Sequence, residues 1–441
     1  MHPIDPQTIH ELQILPKHPR DESILNFFDH SATEGGRDKL KEMLLESKRS
    51  LPEILDCQEL LKAIIGQPDA FTIDIQRTYV AAAEAYYVSN IAYSMSQDVV
   101  KHWFDTFLFS WRNPAEFSMV RSGLIATFRL FRAVQDMLIK LPETPALLAD
   151  DLHFLHTFFN KKALKSVLKV KETKLSLRVV CYWDYMLRIL HKKDFRRIFD
   201  IYYTFDAYQA IAKTAVVHNL QFPEFAETDS DLVIFEAMHI WHPLITNAVP
   251  NSLSLDLETP VCILTGANTS GKTTFLKTCG IVVYLAHLGW PAPASHLRVT
   301  FLDRLFTSIH LSDNIALGYS HFYAEVMRIK TISEALYAGE SCFVLIDELF
   351  RGTNQEDSLH CSRIVIDGFT RKKRSFFLVS THIADLIKHY EQNACTCFRC
   401  FRTHINGDDI ENNYQIENGI SVERLGQVIL KKAGIDLLLK G

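Results

Sequence analysis

The sequence predicts an α/β domain built on a phosphate-binding loop in the C-terminal half of the chain, preceded by an all-α domain. Three observations carry this prediction. No glycine or proline occurs from Asp69 to Asn113, nor from Ala146 to Phe222, and stretches that long without breakers favour long helices. Beyond about residue 222, compact apolar runs ("VCILT", "CFVLID", "SFFLVST") alternate with helical stretches, and each ends in polar or turn residues, as buried parallel strands do. The first of these runs leads into "GANTSGKT", Gly266 to Thr273, which fits the pattern G-x-x-x-x-G-K-[ST].

Composition limits what else the chain can be. Its 441 residues, 47% of them hydrophobic, are enough for about two or three domains with real cores. A net charge of −5 excludes a polycation, so any nucleic-acid contact must come from a local basic patch. The nine cysteines are odd in number and partly embedded in apolar runs, which suits a reducing compartment better than a disulfide framework. The opening "MHPIDPQTIHELQILPKHPRDES" has no basic stretch followed by an apolar core, and no apolar run is long enough to span a membrane; a soluble cytoplasmic protein is expected.

In chain order, residues 1–20 read as an N-terminal tail, 21–222 as the helical domain and 223–441 as the α/β domain. Within the helical part, apolar residues recur at helical spacing: Leu124, Phe128, Phe131, Val134 and Leu138; Trp183, Met186, Ile189 and Leu190; Phe199, Tyr202, Phe205 and Tyr208. These stripes are read as packed core. "QFPEFAETDSD" is a polar, proline-bearing joint. Further on, "CFRTHINGDDIENNYQI" alternates around Asn406-Gly407, a hairpin signal, and a last helix is expected around "QVILKKAGIDLLLK".

The phosphate loop needs a strand, a glycine-rich turn and a helix whose N-terminal amides point at the anion. Strand "VCILT", loop residues Gly266, Ala267, Asn268, Thr269, Ser270 and Gly271, and a helix opening with Lys272, Thr273 and Thr274 supply them. Lys272 would reach the β and γ phosphates and the Thr273 hydroxyl would ligate Mg²⁺. The strand "FVLIDE" ends in two carboxylates, of which Asp347 can hold the Mg²⁺ shell and Glu348 can orient or deprotonate the attacking water. The strand "SFFLVST" delivers His382 at its C-terminal end, where ligands bind in open α/β sheets.

These residues carry a family resemblance. "TGANTSGKTT", "LSDNIALGYSHFYAEVMRI", "LIDELFRGTNQED" and "STHI", in that order and spacing, resemble the ATPase domain of the MutS family of DNA mismatch-repair ATPases, a domain of the ABC class. The resemblance implies that Gly271, Lys272 and Thr273 bind phosphate and metal, that Asp347 binds Mg²⁺, that Glu348 is the catalytic carboxylate and that His382 senses the γ-phosphate of ATP. It places Gly318 and Ser320 on the signature helix that completes the partner protomer's site, and Thr353 and Asn354 on the loop linking two sites across a dimer. A homodimer with composite sites, and C-terminal dimerisation helices, are therefore implied. In the family an aromatic residue before the phosphate-loop strand and a histidine in the C-terminal hairpin meet adenine; by spacing these fall on Ala248 or Val249 and on Tyr414. Tyr414 can stack on a base through its ring, whereas Ala248 cannot.

Upstream, "DESILNFFDHSATEGGRDKLKEMLL" resembles the opening of the family's core (lever) domain, and "YTFDAYQAIAKTAVVHNLQFPEF" followed by "IWHPLI" resembles the join from lever to ATPase. The expected fold is thus an ABC-class α/β P-loop ATPase preceded by an all-α core/lever domain, without a mismatch-reading domain. DNA is the implied partner. Lys161, Lys162, Lys165, Lys169, Lys171 and Lys174, with Lys192 and Arg196, are the candidate phosphate contacts, and an ordinary solvated helix face is the other reading of the same residues. An ATP-gated dimer acting on RNA, the ribosome or a protein partner is the alternative function; a transporter subunit fits less well with a long helical domain in the same chain. Cys395, Cys397, Cys400 and His404 invite a zinc reading, but strand alternation separates Cys400 from the first two and the spacing is not C-x₂-C, so zinc is not expected.

Overall fold

The computed structural model describes residues 1–89, 98–142, 145–161, 164–170, 172, 175–226, 234–309, 321–406, 409–421 and 435–438. Contacts group the chain into two compact units: Met1–Phe28, Leu44–Gln58 and Thr214–Gly441 form the first, Asp29–Met43 and Glu59–Lys213 the second. Boundaries after residues 20 and 222 follow the sequence, whereas these units interleave. Leu12 and Ile54 show why: both are fully buried, and they lie against the middle and the C-terminal end of a helix of the first unit.

The chain opens with α1 (Pro6–Glu11) and α2 (Ile24–Phe28), followed by α3 (Glu34–Leu45), α4 (Leu51–Gly66) and α5 (Pro68–Phe71). Asp5 starts α1 by accepting a hydrogen bond from Thr8 N, with Pro6 at the first helical position. The second unit continues with α6 (Arg77–Val88), α7 (Val99–Arg112), α8 (Pro114–Lys140), α9 (Ala149–Asn160), α10 (Leu177–Tyr185) and most of α11 (Lys192–Val217). Leu124, Phe128, Phe131 and Val134 of α8 are buried, as are Phe199, Tyr202, Phe205 and Tyr208 of α11, so those stripes face the core.

Two expectations for the helical part need correcting. Leu190 is 56% exposed, because Met186–Leu190 form a π-turn that shifts the helical phase and buries Leu187 and Arg188 instead. The breaker-free stretch after Ala146 does hold helices, α9, α10 and α11, but it is not helical throughout. Between α9 and α10 the described residues make turns and a short 3₁₀ segment, Val167–Lys169. Leu164 and Val167 are buried there, but the apolar residues of this lysine-rich run are too few to form a continuous helical stripe.

The first unit carries the sheets. β1 (Glu224–Phe225), β2 (Phe235–Ile240), β3 (Asn251–Leu255), β4 (Val261–Gly266), α12 (Lys272–Leu288), β5 (His296–Val299), β6 (Arg304–Ser308), α13 (His321–Tyr337), β7 (Cys342–Asp347), α14 (Gln355–Thr370), β8 (Phe376–Ser380), α15 (Ala384–Tyr390), β9 (Thr396–Asn406), β10 (Asp409–Asn418) and α16 (Ile435–Leu438) follow in order. A six-stranded sheet runs β10-β9-β4-β8-β7-β6, parallel except for β9 against β10, and a four-stranded sheet runs β1-β5-β2-β3. β4, β7 and β8 are buried along nearly their whole length, which explains their unbroken apolar runs. The expected hairpin is present: Asn406 pairs with Asp409, while Gly407 lies outside the described residues. Among the described residues no helix is long and apolar enough to cross a membrane.

Candidate active site

Parallel strands β4, β7 and β8 bring their C-terminal ends together, and each end carries chemistry. β4 runs into the loop Gly266–Gly271. Gly266 sits at φ +138°, where an added Cβ would come 2.7 Å from the carbonyl oxygen of Phe401, and Gly271 sits at φ +109° as N-cap of α12. Both positions require glycine, the first for close backbone approach and the second for a left-handed turn into the helix. The α12 N-terminus therefore presents unsatisfied amides to the loop. Ser270 Oγ is buried there without a protein hydrogen-bond partner.

Lys272 is 6% exposed, and its ammonium donates to the carbonyls of Gly266 (2.7 Å) and Ala267 (2.9 Å). Burial lowers its pKa, against the opposing pull of Glu348 and Asp347. The next residue, Thr273, donates from Oγ1 to Asp347 Oδ2 at 2.6 Å, and Ser380 Oγ donates to the other Asp347 oxygen at 2.5 Å. A hydroxyl on the first turn of α12 and a carboxylate at the tip of β7 thus converge, and two hard oxygen donors at that spacing suit Mg²⁺.

Glu348 follows immediately at φ +64°, a left-handed conformation uncommon for a non-glycine residue, and Phe350 sits at φ +56°. This turn aims the Glu348 carboxylate at two basic side chains: Arg351 Nε at 2.8 Å and His382 Nδ1 at 3.4 Å. Burial pushes the Glu348 pKa up, but the hydrogen bond from His382 and the charges of Arg351, His382 and Lys272 outweigh it and hold the group below its usual range. The His382 pKa is raised, chiefly by the same hydrogen bond. Arg351 also reaches Asp347 Oδ2 at 3.5 Å.

A cleft of about 650 Å³ opens beside these groups. Ala267, Asn268, Thr269, Gly271, Lys272, Thr273, Thr274, Asp347, Glu348 and Tyr414 all line it, as do Ala248 and Val249. Tyr414 is brought there by a β-bulge in the β9–β10 hairpin, between Asn412 and Ile416, and its ring carbon lies 3.4 Å from where a Cβ on Gly271 would be. Asn251 fixes the bulge, donating to Tyr414 O (3.0 Å) and accepting from Ile416 N (2.7 Å). Thr353 and Asn354 stand outside the cleft wall; Asn354 is exposed and caps α14 by accepting from Asp357 N at 2.9 Å. Gly318 and Ser320 lie outside the described residues.

Sequence reasoning did not single out Arg351, Asn251, His242 or Phe401. Arg351 stood inside the quoted "DELFRG", three positions after Glu348, and its charge was the available signal. His242 lines the cleft with its pKa pushed down to about 4, first by burial and then by Lys277, so it presents a neutral ring.

In the helical unit the basic candidates are divided. Lys161 is paired with Asp194 at 2.7 Å and Arg196 lies 3.6 Å from Asp200, while Lys165, Lys169 and Lys192 are exposed. Lys162, Lys171 and Lys174 lie outside the described residues. Cys400 is fully buried, and Cys397 pairs in register with Cys262 of β4. Among the described residues no group of three or more His, Cys, Asp or Glu is arranged to hold a metal ion.

Residues 262–437 match the family model of MutS domain V, the family's ATPase domain. The DNA mismatch repair protein MutS of Petrotoga mobilis is 28% identical over 236 residues, covering 53% of this chain and 28% of that protein. The DNA mismatch repair protein MutS of Desulfovibrio desulfuricans is 33% identical over 186 residues, covering 41% of this chain and 20% of its own length. The chain thus spans less than a third of the length of these relatives. The phosphate loop and the carboxylate pair both lie within residues 262–437, the part of the chain that is similar to domain V of the MutS family.

Proposed function

We propose that this chain is an ATP-hydrolysing homodimer of the ABC class that acts on DNA, in mismatch repair or related processing of DNA structure, with the helical residues 21–222 as its core and lever. The observation that carries the reading is the convergence of Lys272, Thr273, Asp347 and Glu348 on one cleft at the strand tips, with His382 held behind Glu348. Lys272 meets the β and γ phosphates after releasing the two loop carbonyls it now holds. Thr273 and Asp347 would hold Mg²⁺, which when bound neutralises phosphate charge. Glu348, kept ionised by its cationic neighbours, accepts a proton from or orients the attacking water, and His382 senses the γ-phosphate. Tyr414 stacks on the base. Gly318 and Ser320 complete the partner's site, with Thr353 and Asn354 between the two sites.

DNA contact rests on Lys161, Lys165, Lys169, Lys192 and Arg196 and on the neighbouring lysines at 162, 171 and 174, of which Lys161 and Arg196 also face carboxylates. Two experiments test the reading. Chains carrying Glu348→Gln, mixed with chains carrying Ser320→Arg, should partly regain turnover, because both lesions can fall in one composite site; no recovery contradicts shared sites. ATP turnover measured with duplex, mismatched, branched and single-stranded DNA and with RNA, at fixed salt, should rise with DNA. Stimulation by RNA alone would overturn the DNA assignment in favour of an RNA-directed module.

A further inference from the structure

Helix α7 turns an aromatic face outward. Its inner side is fixed: His102 and Thr106 are buried, and His102 Nε2 lies 3.2 Å from the buried carboxylate of Asp184. On the opposite side Val100 is 76% exposed, Phe104 55%, Phe107 47% and Trp111 78%, and Trp103 stacks on Phe107 with ring centroids 6.2 Å apart. Steps of four, three and four residues put Val100, Phe104, Phe107 and Trp111 on one stripe, the spacing of a helix seam that meets another helix. Proteins rarely leave so large a contiguous apolar surface to water.

From this face we infer a second self-association surface, in which α7 packs antiparallel against α7 of another copy. The stripe is matched to its own reversal. About its midpoint, between Phe104 and Phe107, the small Val100 falls opposite the large Trp111 of the partner and Phe104 opposite Phe107, as an isologous contact demands. The ends are complementary in charge. Asp98 caps the α7 N-terminus, accepting from the amides of Val100 and Lys101, and Arg112 closes its C-terminus. Reversal brings Asp98 of each copy beside Arg112 of the other and opposes the helix dipoles.

The area is sufficient. Four half-exposed aromatic rings and two valines present on the order of 500 Å² per copy, so a pair covers on the order of 1,000 Å², the lower bound of a specific interface. Such a contact needs no nucleotide, which separates it from association through the ATP sites.

Sedimentation of the full chain without nucleotide, at tens of micromolar, tests it. A monomer–dimer equilibrium is expected, weakened about tenfold or more by Phe107→Glu or by Trp111→Glu. These side chains face outward, so an unchanged circular dichroism spectrum and melting temperature will show that the variants fold. Asp98→Arg and Arg112→Asp should each weaken the dimer and restore it when combined in one chain. A wild-type chain that stays monomeric, a dimer indifferent to both glutamate substitutions, or a charge swap without rescue overturns the proposal. The mixing experiment on Glu348 and Ser320 reads the ATP sites alone, so the two can fail separately.

Discussion

Glu348 shows how a single residue acquires its chemistry. The sequence placed it after an apolar strand; the fold adds a left-handed backbone and two basic side chains within 3.4 Å of its carboxylate. Glu348→Gln keeps the shape and removes the base, so turnover should fall by about 10²-fold or more while ATP binding persists. Lys272→Ala removes the ammonium beneath the loop, and both binding and turnover should drop in a nucleotide-binding assay. The Glu348–His382 pair also has a pH signature. Glu348, with a depressed pKa, keeps its charge above its ordinary value and loses it as pH falls through the lowered one; His382, with a raised pKa, keeps its charge below its ordinary value and loses it as pH climbs through the raised one. The pair is therefore fully charged between the ordinary carboxylate and the ordinary imidazole values, and the shifts widen that window at both ends. A pH profile of kcat should show an alkaline limb that disappears in His382→Gln. Arg351 escaped the sequence reading because its role depends on a turn that bends it back onto Asp347 and Glu348, which no spacing rule encodes.

At the scale of elements, strands were more legible than helices. The runs at β4, β7 and β8 are short, apolar and bounded by turn residues, and each became a buried parallel strand. The helical stripes were legible where packing is continuous, as in α8 and α11, and failed at Leu190, where the π-turn changes the phase. The cleft's wall was only half visible. Tyr414 was placed by spacing, but its aim depends on a bulge, and the bulge depends on Asn251 from another strand. Asn251→Ala removes both hydrogen bonds and should cost about 1–3 kcal/mol in a denaturant titration, with weaker nucleotide binding as Tyr414 swings away. Gly266→Ala forces a Cβ against the Phe401 carbonyl oxygen and should cost about 1–3 kcal/mol as well.

For the molecule as a whole, sequence order and compactness diverge. Residues 1–20 read as a tail because the resemblance to the core domain begins after them, yet Met1–Phe28 groups with Thr214–Gly441. The reason is a set of polar contacts no local pattern announces. Arg328, 8% exposed, donates to Thr307 O (2.8 Å), Thr8 Oγ1 (3.0 Å) and Asp5 Oδ2 (3.1 Å), and Glu11 accepts from Ile309 N (3.0 Å). Helix α1 packs against β6, the edge strand of the six-stranded sheet, where open backbone groups would otherwise invite pairing with another chain. Arg328→Leu leaves Asp5 without its ion-pair partner and should lower stability by about 3 kcal/mol, read as a lower melting temperature.

The proposed activity is ATP binding and hydrolysis in this cleft through Glu348. Its most direct measurement is ATP binding and steady-state turnover, with Mg²⁺, for the wild-type chain and Glu348→Gln side by side. Both chains should bind ATP, and only the wild type should turn it over at an appreciable rate. A wild-type chain that binds no ATP, or a Glu348→Gln chain that hydrolyses it as fast as the wild type, would contradict it.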